Sequence, residues 1–83
     1  MVTGGQIRAA RAVLRWSAEE LAEHAGVGIQ TIKRFEAAEG VPPSRSSTLM
    51  IVRAALEGAG IEFIGTPDDG PGIRLRPKIS KPE

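Results

Sequence analysis

The sequence predicts a mainly helical domain of four helices followed by a C-terminal β-hairpin, and three observations predict it. Apolar residues recur at helical spacing up to Gly58, and Ser, Thr and Gly lie where such segments would begin and end. Beyond Gly60 the apolar period shortens from about 3.6 to about 2 residues, which is typical of strands. We therefore assign residues 1–60 to the helical domain, 61–76 to the hairpin and 77–83 to a flexible tail.

Capping boxes mark the starts of the first two helices. Thr3 and Gln6 form one, ahead of an apolar stripe that predicts a helix over about residues 4–15. Ser17 and Glu20 form the other. The short helix that follows would end at Gly26, since glycine readily adopts the left-handed conformation just past a helix end.

A glycine turn separates this short helix from a third one. Val27 would plug the turn, and the third helix would run over residues 29–38 with Ile32 and Phe35 pointing inward. Gly40 would end it, and the prolines at 42–43 would prevent its continuation.

The fourth helix and the hairpin complete the predicted domain. The helix would start near Ser46 or Ser47 and finish within residues 58–60. Two alternating segments follow, and the stretch 65–72 between them is rich in Gly, Pro and Asp, which predicts a β-hairpin with its turn in that stretch. The expected inward side chains of the hairpin are Ile61, Phe63, Ile73 and Leu75.

Composition excludes several classes of protein. The 83 residues include no cysteine and one histidine, which rules out disulfides and thiol nucleophiles and leaves little for a metal site, so we expect no cofactor. No nucleophile–base set or phosphate-binding loop is visible, so we expect no enzyme. No apolar run approaches the ~18 residues of a membrane span and no signal peptide opens the chain, which predicts a cytoplasmic protein.

The chemistry of interest lies in the corner that the second and third helices would form over residues 17–39. Gln30, Thr31, Lys33 and Arg34 would point outward on the third helix. Amide, hydroxyl, ammonium and guanidinium groups suit the hydrogen-bonding edges of bases in a DNA major groove. The plainer alternative is a solvated helix face with no partner, because the net charge is only +1 and such residues decorate many exposed helices.

The run LAEHAGVGIQTIKRFE carries a family resemblance. With its flanking segments, over about residues 6–57, it resembles the lambda-repressor-like helix-turn-helix regulators of bacteria and phages, the Cro/C1 or xenobiotic-response-element type. The resemblance implies that the third helix is a recognition helix and that the start of the second helix points amides at a phosphate. It also implies a structural pair, Arg11 with Glu36, that joins the first helix to the recognition helix. The expected DNA-binding residues are Ser17, Gly28, Ile29, Gln30, Thr31, Lys33 and Arg34.

Two positions depart from that family. Ala18 lies where a Gln is frequent, and Gly28 lies where a Ser or Thr often caps the recognition helix. The leading hypothesis is a sequence-specific regulator that binds double-stranded DNA, most simply a repressor that occludes a promoter and forms a homodimer through residues 61–76. The alternative is a helix-turn-helix-derived protein-interaction module, such as an antitoxin or antiactivator, with weak or no DNA binding.

Overall fold

Four helices and two strands follow one another in the predicted order. The structure, a computed structural model, describes residues 2–42 and 46–76. The fold class is confirmed: a mainly helical domain ends in a two-stranded antiparallel hairpin. The elements are α1 (Gly4–Leu14), α2 (Ala18–Ala25), α3 (Ile29–Ala37), α4 (Ser46–Gly58), β1 (Ile61–Thr66) and β2 (Asp69–Leu75).

Both predicted capping boxes are present. The Thr3 hydroxyl accepts from the Gln6 amide at 3.0 Å, and the Gln6 side-chain oxygen accepts from the Thr3 amide at 2.8 Å. Ser17 and Glu20 form the same reciprocal pair at the start of α2. The C-terminal end of α1 differs from the prediction by one residue. The helix stops at Leu14, because Arg15 takes the left-handed conformation with φ 61°.

The third helix is one residue shorter than predicted. It ends at Ala37, and Ala38 is extended with φ −72° and ψ 141°, so the chain leaves the helix two residues before Gly40. The inward residues Ile32 and Phe35 are fully buried, as predicted. They belong to one core whose buried apolar members are Val2, Ile7, Ala10, Leu21, Ala22, Ile32, Phe35, Leu49, Val52, Leu56 and Ile61.

The two strands of the hairpin are longer than the sequence indicates, and the turn is shorter. The strands reach Thr66 and resume at Asp69, so the turn occupies residues 67–68 rather than the predicted stretch 65–72. A register irregularity between Ile64 and Thr66 accommodates Gly70 and Pro71 of β2, because a bulge leaves residues outside the regular ladder. Gly65 has φ 76°, and a Cβ there would collide with the carbonyl of Gly70.

One expected core side chain of the hairpin is exposed. Ile61 is buried, and Phe63 and Ile73 are half-buried against the core. Leu75, which pairs with Ile61 in the ladder, is 42% exposed, so its predicted inward position is wrong. Ile61 lies on the strand that packs against α4 and fills the core, whereas Leu75 is the last residue of β2 and packs beside Gly60.

The hairpin is attached to the helices by packing and by one buried side chain. β2 packs against α1, and β1 packs against α4. The side-chain amide of Gln6, a residue only 4% exposed, donates to the carbonyls of Ile64 at 3.1 Å and Gly72 at 2.8 Å. Both strands are therefore fixed to the start of α1. The predicted flexible tail, 77–83, lies outside the described residues.

Candidate nucleic-acid interface

The corner between α2 and α3 is built from small residues and one left-handed glycine. Gly26 has φ 70°, a conformation that an L side chain rarely adopts, and it ends α2. The Val27 amide then donates to the Ala22 carbonyl at 3.0 Å, and Val27 is half-buried over the turn. Gly28 begins α3 without a side-chain cap, and its carbonyl accepts the first helical hydrogen bonds.

The two faces of α3 have opposite chemistry. Ile32, Phe35 and Glu36 are buried. Gln30, Lys33 and Arg34 are exposed, and their spacing of three and four residues places them on one face of the helix with Ala37. The structure therefore brings three of the expected DNA-contacting side chains onto one outward surface, which we call the α3 outer face.

Among the described residues, no acid forms an ion pair with the cationic groups of the α3 outer face. None of the four ion pairs between residues in 2–42 and 46–76 involves Lys33 or Arg34. Ile29 and Thr31 are half-buried at the edges of this face. The α3 outer face can therefore offer a side-chain amide, an ammonium group and a guanidinium group to a ligand.

Ser17 lies apart from this face, at the start of α2. Its hydroxyl caps the helix, and its own backbone amide donates to the Glu20 carboxylate at 2.7 Å. Exposed carboxylates at Glu19 and Glu20 follow in the first turn. Any phosphate at this helix end would have to use backbone amides between these side chains.

Arg11 and Glu36 join α1 to α3. Arg11 Nε lies 2.7 Å from Glu36 Oε2 and Arg11 Nη2 lies 2.9 Å from Oε1, a two-point contact between guanidinium and carboxylate. The third guanidinium nitrogen donates to the Trp16 carbonyl at 3.0 Å. The hydrogen bond to Glu36 raises the pKa of Arg11 above its ordinary value, against the opposing effect of burial. The Glu36 side chain is thereby held inside, away from the α3 outer face.

Two further contacts that hold α3 were not predicted from the sequence. The Arg8 guanidinium donates to the backbone carbonyl of Glu36 near the end of α3. Gly4 abuts the same end so closely that a Cβ would overlap the carbonyl oxygens of Phe35 and Ala38. Arg8 had the pattern of a surface charge, and a glycine in the first turn of a helix gives no signal of a distant contact.

The geometry is that of two short helices joined by a tight turn, with the second presenting a polar outward face. A family model described as a helix-turn-helix domain matches residues 3–62. The chain belongs to the helix-turn-helix domain family. No curated protein matches the chain. Helix-turn-helix domains place their second helix in the major groove of DNA, so DNA is the partner that membership in this family supports.

Two other features, a metal-binding cluster and a membrane-spanning helix, do not occur among the described residues. Within the part of the chain that the structure describes, no three His, Asp or Glu side chains come together as a metal ion would require. Among the same residues, none of the helices is both long and apolar enough to cross a membrane.

Proposed function

We propose that this protein is a bacterial transcriptional regulator that binds double-stranded DNA sequence-specifically and represses by occluding a promoter. The observation that supports the proposal is the α3 outer face, where Gln30, Lys33 and Arg34 are exposed on a helix fixed to the rest of the domain. A regulator needs such a rigid polar helix, because base readout depends on side chains held at fixed positions relative to the groove.

Each expected contact has a chemical rationale. Gln30 can bond adenine through two hydrogen bonds, and Arg34 can do the same with guanine. Lys33 provides a second cation for guanine or phosphate, and Ile29 can touch a thymine methyl group. Thr31 and Gly28 lie where the start of α3 would approach the DNA backbone, and the amides after Ser17 would contact a phosphate.

We propose that the regulator acts as a homodimer formed through the hairpin, residues 61–76. A single short helix reads few base pairs, and regulators of this build gain affinity by placing two recognition helices about 34–36 Å apart. A two-stranded hairpin also has unpaired strand edges, and pairing with a second copy would satisfy one of them.

Selection of binding sites from random duplexes tests DNA binding and base preference together. We expect an enriched, nearly palindromic sequence whose affinity falls with salt by a slope of about −0.9 per phosphate contact. Failure to enrich any sequence would contradict the proposal and favour the protein-interaction module.

Substitutions on α3 then test which residues read the bases. Gln30→Ala and Arg34→Ala should each relax the preference at one base position by about 1–3 kcal/mol. Arg74→Ala is the matched control, since Arg74 is 52% exposed on the hairpin and should leave base preference unchanged. Unchanged preference in both α3 variants would refute the assignment of α3 as the recognition helix.

A further inference from the structure

α4 is apolar on two sides, unlike α2 and α3. Its inward side chains Leu49, Val52 and Leu56 are buried in the core. On the opposite side Met50 is 65% exposed and Ile51 is 48% exposed. The outward faces of α2 and α3 carry charged residues instead. A surface helix normally has one apolar stripe and one polar face, so the second apolar side of α4 requires an explanation.

The exposed side of α4 is a continuous surface without a charge at its centre. We call it the α4 outer face, and it consists of Ser47, Met50, Ile51, Ala54 and Gly58, which are all exposed and lie at helical spacing. Its rim carries Arg53 and Glu57, which form an ion pair of 2.9 Å along the helix. A Cβ added at Gly58 would meet nothing within 4 Å, so no contact with another described residue requires a glycine there.

We infer that a second copy of this chain packs on the α4 outer face, with the two helices antiparallel and the two-fold axis near Ala54. In that arrangement Met50 lies at the level of Gly58 of the second copy, so a long side chain meets the space that a glycine leaves open. Small Ala54 meets its own counterpart, which permits close approach of the helices.

The charges on the rim fit the same arrangement. Antiparallel pairing about Ala54 places Arg53 within about 3 Å, along the helix axis, of the level of Glu57 in the second copy. Each Arg53–Glu57 pair would then extend into a group of four alternating charges. A parallel arrangement about a two-fold axis would instead place the two rims on opposite sides of the contact, where their charges do not meet. Self-complementarity of this kind is what a two-fold interface requires.

This inference rests on the proposed pairing of two copies and adds α4 to the hairpin as the surface that forms it. β1 packs against α4 while β2 packs against α1, so the edge of β1 that faces away from β2 is on the α4 side of the hairpin. The α4 outer face and that edge can therefore belong to one interface. No residue of the α3 outer face is used, which leaves the recognition surface available.

Site-specific crosslinking tests the position of the two-fold axis. The chain contains no cysteine, so Ala54→Cys introduces a single thiol. We expect mild oxidation to convert this variant to a covalent dimer on a non-reducing gel. The control is Ala12→Cys, which places a thiol on the exposed side of α1. Equal crosslinking of the two variants, or none in Ala54→Cys, would overturn the inference.

Light scattering tests the apolar contact independently of DNA. At about 50 µM the wild-type chain should have twice its monomer mass of 8.8 kDa. Met50→Glu combined with Ile51→Glu should return it to a single chain mass, whereas the control Val13→Glu, at a position 43% exposed on α1, should remain a dimer. A monomeric wild type, or a dimer that survives the double substitution, would contradict the inference.

The dimer and the proposed function can fail separately, because neither measurement contains DNA. A wild-type dimer that enriches no DNA sequence would refute the regulator and leave the interface intact. A DNA-binding protein that Ala54→Cys fails to crosslink would refute the interface alone.

Discussion

The contact between Arg11 and Glu36 supports a quantitative prediction about how firmly α3 is held. Its side chains are 23% and 10% exposed, so the pair is largely but not fully removed from water. Breaking a fully buried pair by removing one partner costs about 3–5 kcal/mol, because the remaining charge loses its counterion without regaining water. Partial exposure places the expected cost at the low end of that range.

The two single substitutions should not cost the same. Arg11→Met leaves the Glu36 carboxylate, the more buried group, without a partner, and we expect a loss of about 3 kcal/mol in the free energy of unfolding. Glu36→Gln leaves a hydrogen-bond acceptor beside Arg11, whose third nitrogen still donates to the Trp16 carbonyl, so a loss of about 2 kcal/mol is expected. The double variant should lose about 2 kcal/mol rather than the sum of the two, because no unpaired charge remains.

Urea unfolding followed by the fluorescence of Trp16 measures these values. Trp16 is the chain's single tryptophan, and its ring stacks on His24 with centroids 3.9 Å apart, so unfolding changes its surroundings. In a thermal melt, a loss of about 3 kcal/mol corresponds to a fall in Tm of roughly 12–24 °C for a domain of this size.

The exposed pair Arg74–Glu62 is the control for this cycle. Its side chains are 52% and 40% exposed, and water screens the attraction between them, so its coupling should be several-fold smaller than that of Arg11 and Glu36. The pair does not hold α3 if each single variant lowers the free energy of unfolding by less than about 0.5 kcal/mol and the loss in the double variant equals the sum of the two single losses.

Three further predictions concern α1 and the hairpin. Gln6→Leu removes partners from two hairpin carbonyls and one backbone amide, and chemical denaturation should show a loss of about 3–5 kcal/mol; a loss below 1 kcal/mol would mean that water replaces them. Gly4→Ala should lower Tm because its methyl group meets the carbonyl of Phe35, whereas Gly5→Ala should not, since its nearest contacts are 3.7 Å or more; equal Tm values would contradict the close approach. Hydrogen bonding to Arg76 and the nearby arginine charges lower the pKa of Glu62, so its stabilising effect should be present above the unfolded pKa and disappear as the pH falls through the folded one. Glu62→Gln should therefore lower Tm near pH 7, and the difference in Tm from the wild type should shrink as the pH falls through the folded pKa of Glu62; a difference that stays constant throughout the acid range would refute this.

Local signals explain why the helices could be predicted and the hairpin only in outline. Thr3 and Ser17 mark helix starts through side chains that bond to amides three residues away, so the sequence contains both partners. β2 contains Gly70 and Pro71, residues that disfavour strands, and they are tolerated because the register irregularity places them outside the regular ladder.

The features that the sequence did not predict are contacts between residues far apart in the chain. Gln6 was expected as a capping partner, and it also bonds hairpin carbonyls 58 and 66 residues away. Gly4 and Arg8 likewise contact the end of α3 through backbone carbonyls, which every residue possesses and no pattern distinguishes. Exposure of Gln30 and Arg34 followed from helical spacing alone, whereas the partner that they meet depends on chemistry outside the chain.

The position of α1 between the hairpin and α3 has a consequence for how tightly the protein can bind. Its first two turns are tied to both strands by Gln6 and to the end of α3 by Gly4 and Arg8. A dimer interface at the hairpin would thus be connected to the α3 of each copy through α1, a rigidly held helix, and not through a flexible segment. The two recognition helices would be held at a fixed distance and angle before DNA binds, so binding would cost little rotational entropy. The dimer would also bind weakly to operators whose half-site spacing differs from that distance.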